Sequence, residues 1–326
     1  MFTFKVEALY NPISSVTKWV WTKGAAWFTT SLMTFLYSKT TQQLLDHLPA
    51  MANVVRRIAC AAGDEIMEHY DPSGYVGEVV TKGDNSPVTA ADLAADQIIC
   101  DQLSALFPDI PVLTEEIYAT LDPQILTQAP HYWVVDPLDG TKSFARGDPD
   151  FTVNIALVHD HTPVMGVIYA PALGEGYVGI LNDVHPDDSG TYRFRDDQDQ
   201  DVPVSVRSVP SAGLTFLTSC AKWESSPTLD IMARIKMRKH IRRSSSIKYC
   251  DLAGARADLV VVAHDLSYWD VAAAEAILCA AGGCMLDLKG RPLVYDRACV
   301  PIFKGGIIAG TSEEYVQPLL RDIIEG

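Results

Sequence analysis

Apolar positions recur every three or four residues between positions 49 and 70, at Val54, Val55, Ile58, Ala62, Ile66 and Tyr70. That spacing predicts an amphipathic helix, stopped by Asp71-Pro72-Ser73-Gly74. A second helix is predicted from Thr89, a good capping residue, through Leu93, Ile98, Ile99, Leu103 and Leu106, with Pro108 and Pro111 closing it. β-branched and aromatic runs bounded by Gly, Pro and Asp predict strands at 112–114, 132–135, 152–158 and 164–169. The acidic stretch 183–201 reads as a loop or an extended hairpin and marks a subdomain boundary. Beyond it, strands are predicted at 214–218 and 258–262, and helices near 227–239, 247–255 and 271–281. Strands mixed with helices in both halves predict layered α and β structure.

The first fifty residues break this pattern. Trp19, Trp21, Trp27, Phe28, Phe35 and Tyr37 crowd a stretch in which Glu7 is the only acid between Lys5 and Lys39. The charge-free run 24–38 is shorter than the roughly 20 residues a membrane span needs. It lacks a clear signal-peptide cleavage site. Two readings stay open: an interfacial segment making peripheral membrane contact through residues 15–38, or an extension upstream of a start at Met51.

Composition narrows the function classes. The 326 residues carry 26 basic and 41 acidic side chains, a net charge of −15, which argues against nucleic acid as a partner. An anionic substrate is also repelled unless bound cations reverse the local sign. The cysteine count is odd and no C-x-x-C occurs, as expected of free thiols in a reducing cytoplasm.

The strongest chemical signal is Trp133-Val-Val-Asp136-Pro-Leu-Asp139-Gly140-Thr141. An apolar strand runs into two carboxylates three residues apart. Pro137 biases Asp136 towards extended backbone, and Gly140 permits a tight turn. Such a turn can aim carboxylates and a backbone carbonyl into one cavity, an oxygen-only donor set that suits Mg²⁺. Glu115-Glu116 ends the strand 112–114, Asp92 falls in the first turn of the Thr89 helix, and Asp270 follows Trp269 at another helix start. Helix capping accounts equally well for Asp92 and Asp270.

In combination these segments resemble the signature of the lithium-sensitive inositol monophosphatase superfamily: D-x-S-P-V-T-x-x-D ending at Asp92, then E-E, then W-x-V-D-P-L-D-G-T, then W-D-x-A-A at Trp269. The resemblance runs from about Met51 to near the C-terminus. Lys82-Gly-Asp-Asn-Ser-Pro-Val-Thr-Ala-Ala-Asp92, Asp139-Gly-Thr-Lys-Ser-Phe144, Phe151-Thr-Val-Asn-Ile-Ala-Leu157 and Gly166-Val-Ile-Tyr-Ala-Pro171 resemble bacterial 3′(2′),5′-bisphosphate nucleotidases of the CysQ type. The resemblance implies an α+β, α/β-like αβαβα sandwich. It would have an extension over 1–48, a metal-binding subdomain over 49–205 and a substrate-side subdomain over 206–326. It implies a cytoplasmic, lithium-sensitive enzyme using two or three Mg²⁺ to hydrolyse a small phosphorylated metabolite, adenosine 3′,5′-bisphosphate, to AMP and phosphate. By the same resemblance Glu115, Asp136 and the Leu138 carbonyl bind one ion, and Asp136, Asp139 and Asp270 a second. Asp92 and Thr141 activate the attacking water, the amides of Gly140 and Thr141 hold the scissile phosphate, and Ser245, Ser246 and Lys248 line the substrate side.

Two features depart from the family pattern. Ala263-His-Asp-Leu-Ser-Tyr268 replaces the glycine-proline loop usual before W-D, and the 183–201 insert is atypical. The loop keeps open a second reading, an inositol or related sugar phosphatase. The aromatic N-terminus motivates a third, a non-catalytic metal-binding or membrane-attached protein. Three motifs are set aside as bland. Gly174-x-Gly176-x-x-Gly179 lacks a following amphipathic helix, His159-Asp-His161 reads as a β-turn, and the seven basic residues of 234–243 read as a solvated helix face, with a substrate-attracting edge as the alternative.

Overall fold

The structure, a computed structural model, describes residues 43–74, 80–81, 87–219, 226–297 and 300–324. The first helix, α1 (Leu48–Glu68), buries Val55, Ile58, Ala62 and Ile66, the stripe its spacing predicts. It begins with Leu48, which is fully buried, so a chain starting at Met51 would lack part of this core contact. Thr89 caps α2 (Ala90–Leu106) in a capping box with Asp92. The aromatic segment 15–38 and residues 82–86 of the motif that ends at Asp92 lie outside the described residues.

A seven-stranded sheet follows in simple order: β1 (Val112–Thr114), β2 (His131–Asp139), β3 (Thr152–His159), β4 (Thr162–Ala170), β5 (Glu175–Ile180), β6 (Gly190–Arg195) and β7 (Val202–Val204). Only β1–β2 is parallel; each later pair is antiparallel. The acidic insert is therefore largely a hairpin, of which β6 is one arm. Asp160 and His161 both have positive φ, the two-residue turn that fits a tight β3–β4 hairpin. The G-x-G-x-x-G segment forms the strand β5 rather than a phosphate loop.

The second sheet has five strands in the order β9-β8-β10-β12-β11: β8 (Leu214–Thr218), β9 (Met237–Arg242), β10 (Leu259–Val262), β11 (Cys284–Asp287) and β12 (Ile307–Gly310). The helix expected to 239 ends early, as α4 (Ser226–Arg234), and residues 237–242 form an edge strand parallel to β8. Alternation explains the switch. Ile241 packs towards the core beside Leu217, while His240 pairs with Phe216, and a helix could not place these neighbours on two sheet faces.

Between the sheets lie the short, wholly buried α5 (Ile247–Ala253) and, packed along it, α6 (Tyr268–Ala280), with ten of its residues buried. Its apolar side chains join Val134, Ala156 and Ile168 of the first sheet to Val260, Val262 and Ala309 of the second. Alanines keep it slim, and Gly166 and Gly179 let the first sheet touch it: a Cβ at either would run into the backbone of Ala273 or Ile277. Tyr169, whose side chain alternates with that of Ile168, reaches Gly63 of α1 on the other sheet face. Ile231 of α4 and Val316 and Leu320 of α7 (Glu313–Ile324) cover the far face of the second sheet. The layers are thus αβαβα.

Candidate active site

The carboxylate pair at the end of β2 depends on a register break. Asp136 pairs with Asn154 and Asp139 with Thr152, so β2 spends three steps where β3 spends two. In a regular strand, residues three apart point to opposite faces. The extra residue turns Asp139 back to the side of Asp136. Pro137, which has no N–H to lose, sits inside this bulge, and the Leu138 amide donates to Asp136 Oδ1 at 3.1 Å. Gly140 completes the turn at φ 95°. A side chain there would press on the Asp150 carbonyl and on Ser245.

One oxygen from each of Asp136, Asp139 and Asp270 falls within 4.8 Å of the other two. Asp270 arrives from α6, where it closes a capping box with Ser267, whose amide donates to Asp270 Oδ2 at 2.7 Å. Glu115 extends the β1 ladder, its amide donating to the Val135 carbonyl at 3.2 Å. Leu113 is paired with Val134, so strand alternation puts Glu115 on the same face as Asp136. Asp92 presents one oxygen to the amide and hydroxyl of Thr89, and the other accepts from Thr141 Oγ1 at 3.2 Å. Capping and site placement are therefore one arrangement for both Asp92 and Asp270. The Leu138 carbonyl lies 3.2 Å from Thr141 Oγ1, at the edge of the cluster.

Five carboxyls in one cleft repel one another. Burial, then Glu115, Asp139, Asp270 and Asp92, push Asp136 well above the usual carboxylate range. Burial and Asp139 push Asp270 up to about 8, against the Ser267 amide and the Lys248 charge. Burial raises Asp92, with Glu115 adding to it. This crowding of hard oxygen donors, with a backbone carbonyl beside it, fits divalent Mg²⁺, whose charge would relieve the repulsion.

Ser245 and Ser246, in the turn before α5 (Ile247–Ala253), and Lys248, in its first turn, are all buried and approach the cluster. Ser245 has φ 49°, unusual for a serine and in keeping with a functional turn. Lys248 Nζ donates to the Ser245 carbonyl at 2.6 Å. Ser246 Oγ lies 2.7 Å from Asp139 Oδ2 and 2.9 Å from the Asp270 carbonyl, which ties the turn to two members of the cluster. Asn154 also joins, donating to Ser246 Oγ at 3.0 Å. Sequence reasoning gave Asn154 no role, although one amide inside the apolar run 152–158 was the available signal. The replaced loop before Trp269 is pinned: Asp265 accepts from Lys304 Nζ at 2.7 Å and from the Gly305 amide at 2.9 Å.

Among the described residues no helix is long and apolar enough to cross a membrane. Cys60, Cys100, Cys250, Cys279 and Cys284 are free thiols.

Comparison with known proteins identifies the family and the fold. The model of the inositol monophosphatase family matches residues 47–323. A Shigella flexneri protein named 3′(2′),5′-bisphosphate nucleotidase CysQ is 37% identical over 248 residues, covering 75% of this chain and 94% of that protein. The crystal structure of CysQ from Bacteroides thetaiotaomicron superposes with a TM-score of 0.65 at 28% identity, over 81% of this chain and 97% of the other. An inositol monophosphatase from Zymomonas mobilis gives a TM-score of 0.65 at 28% identity, over 84% and 97%. With the family model matched along nearly all of the αβαβα core and the carboxylates gathered at the bulge of β2, the chain belongs to the inositol monophosphatase family.

Proposed function

We propose that the chain is a Mg²⁺-dependent 3′(2′),5′-bisphosphate nucleotidase, which hydrolyses adenosine 3′,5′-bisphosphate to AMP and phosphate. The observation that carries the chemistry is the convergence of Asp136 and Asp139, from one turn, with Asp270, from a helix far along the chain. The substrate class is supported by the CysQ-named relatives at 37% identity.

In this reading Glu115, Asp136 and the Leu138 carbonyl hold one ion, and Asp136, Asp139 and Asp270 another. When bound, Mg²⁺ neutralises phosphoryl oxygens, acidifies water and stabilises the departing alkoxide. The protein groups supply position and a proton path. Thr141 has one hydroxyl proton and two acceptors within reach, Asp92 Oδ1 and the Leu138 carbonyl. Donation to Asp92 leaves the Thr141 lone pairs facing the cleft, where they accept a proton from the attacking water. Asp92 then takes the threonine proton, and its raised basicity suits it to that task. The amides of Gly140 and Thr141 precede the first helical hydrogen bonds of α3 (Thr141–Phe144) and hold the scissile phosphate. Ser246 and Asn154 fix Asp139 so that the cluster is formed before substrate arrives.

The altered loop at 263–268 favours one competing reading, an inositol or sugar phosphatase. Phosphate release from adenosine 3′,5′-bisphosphate and from inositol monophosphate, each with Mg²⁺ and with chelator, separates the two. Release from inositol monophosphate with none from the nucleotide rejects the nucleotidase.

A further inference from the structure

The net charge of −15 sets a problem that the metal site alone does not solve: a polyanion must approach an acidic protein whose cleft holds five carboxyls. One stretch runs against the general charge. Six of the 26 lysines and arginines fall between 234 and 243, with His240 among them, and no acid occurs from Ile231 to Cys250.

The fold makes this stretch a surface feature with a direction. β9 is the edge strand of the second sheet, paired only to β8 among the described strands. Arg234, Lys236, Arg238, Lys239 and Arg242 are exposed. Arg238 and Lys239 make no ion pair among the described residues, so their charge faces solvent. Period-two alternation places Lys239 on one side of the edge and Arg242 on the other, and Arg238 is the extra residue where the pairing with β8 shifts register. The strand then runs straight into the cleft. The Arg243 amide donates to the Thr218 carbonyl at 2.9 Å, the Ser244 amide to Asp150 Oδ2 at 3.3 Å, and Ser246 Oγ to Asp139 Oδ2 at 2.7 Å. Only three residues lie between Arg242 and Ser246, at most about 14 Å of chain. Arg243 faces inward and bridges Asp150 and Asp251, which anchors the inner end.

We infer that the basic edge strand β9 is an electrostatic guide that draws a substrate bearing two phosphates to the carboxylate cleft. It raises the rate of productive encounter for that substrate above the rate for one bearing a single phosphate. Each phosphate carries about two negative charges at neutral pH, so a bisphosphate feels roughly twice the attraction of a monophosphate. This rests on the reading of the cleft as a phosphatase site. The competing use of a charged edge is to stop sheet-to-sheet association. That use predicts no kinetic effect.

The test compares the full chain with R238Q/K239Q/R242Q under saturating Mg²⁺, at 20 to 200 mM added salt, with adenosine 3′,5′-bisphosphate and inositol monophosphate as substrates. The guide predicts a loss in kcat/KM for the bisphosphate of about fivefold at low salt, with kcat within twofold of the parent. The loss shrinks as salt rises, and it is smaller for the monophosphate. The charge-keeping variant R238K/K239R/R242K keeps the parent kcat/KM, which sets aside damage to the fold. Equal salt slopes in parent and neutralised variant overturn the guide. So does a fall in kcat with kcat/KM independent of salt. If the chain cleaves only the monophosphate, the nucleotidase reading fails; the salt series on that substrate still decides the guide.

Discussion

Replacing Asp270 by Asn separates what the carboxylate does for catalysis from what it costs the fold. Burial and Asp139 lift its folded-state value to about 8 from an unfolded value of 3.8. The folded protein therefore holds a proton that the unfolded chain has released, across the whole interval between those values. Stability without metal is greatest below pH 4 as far as this group is concerned, and it falls as pH rises towards 8. A shift of this size sets an upper bound of about 5–6 kcal/mol. Solvent reaching the cleft screens it to about 2–3 kcal/mol. Asparagine keeps an oxygen to accept the Ser267 amide and removes the charge. In chelator at pH 8 the variant should therefore melt about 5 °C above the parent, with the gap closing by pH 4.5. Mg²⁺ should raise the melting temperature of the parent and move the variant much less. Turnover should fall by about a thousandfold or more, because a ligand of the second ion is lost. Differential scanning fluorimetry across pH, with and without Mg²⁺, reads all of this. A variant less stable than the parent at pH 8 in chelator, or a gap that does not change with pH, refutes the account of the cluster.

Further outcomes follow from the same geometry. Asp136→Asn should abolish phosphate release while circular dichroism shows an intact fold, since Asp136 is the member crowded by all four other carboxyls. Ser246→Ala should lower kcat by about 10–100-fold and weaken the Mg²⁺ dependence, measured by metal titration of activity, because Asp139 loses its 2.7 Å partner. Thr141→Val should cut kcat by about 10²–10⁴ with little change in Mg²⁺ affinity, a split that a purely structural threonine would not give. A chain beginning at His47 keeps all of α1 and should retain activity, whereas one beginning at Met51 loses buried Leu48 and should melt lower.

Much of the site was legible because its residues sit where chain signals are sharp: a strand running into Asp136-Pro-Leu-Asp139-Gly140, and acids at two capped helix starts. The bulge that brings Asp136 and Asp139 to one face was not legible, because register belongs to a strand pair and not to a single strand. The edge strand β9 was read as helix because its cations mask a period of two, and an edge exposes both faces to water. β5 was missed because its glycines are poor strand formers; the reason for Gly179 is the backbone of α6, far along the chain. Asn154 went unassigned because its partners, Ser246 and Asp139, meet only in three dimensions.

The slim helix between the sheets carries Asp270 in its first turn and packs against both apolar layers along the rest of its length. Loading the cleft with cations should therefore be felt at the heart of the molecule. Amide hydrogen exchange along residues 271–280 ought to slow when magnesium is added, making a deeply enclosed segment a reporter of an event at its rim.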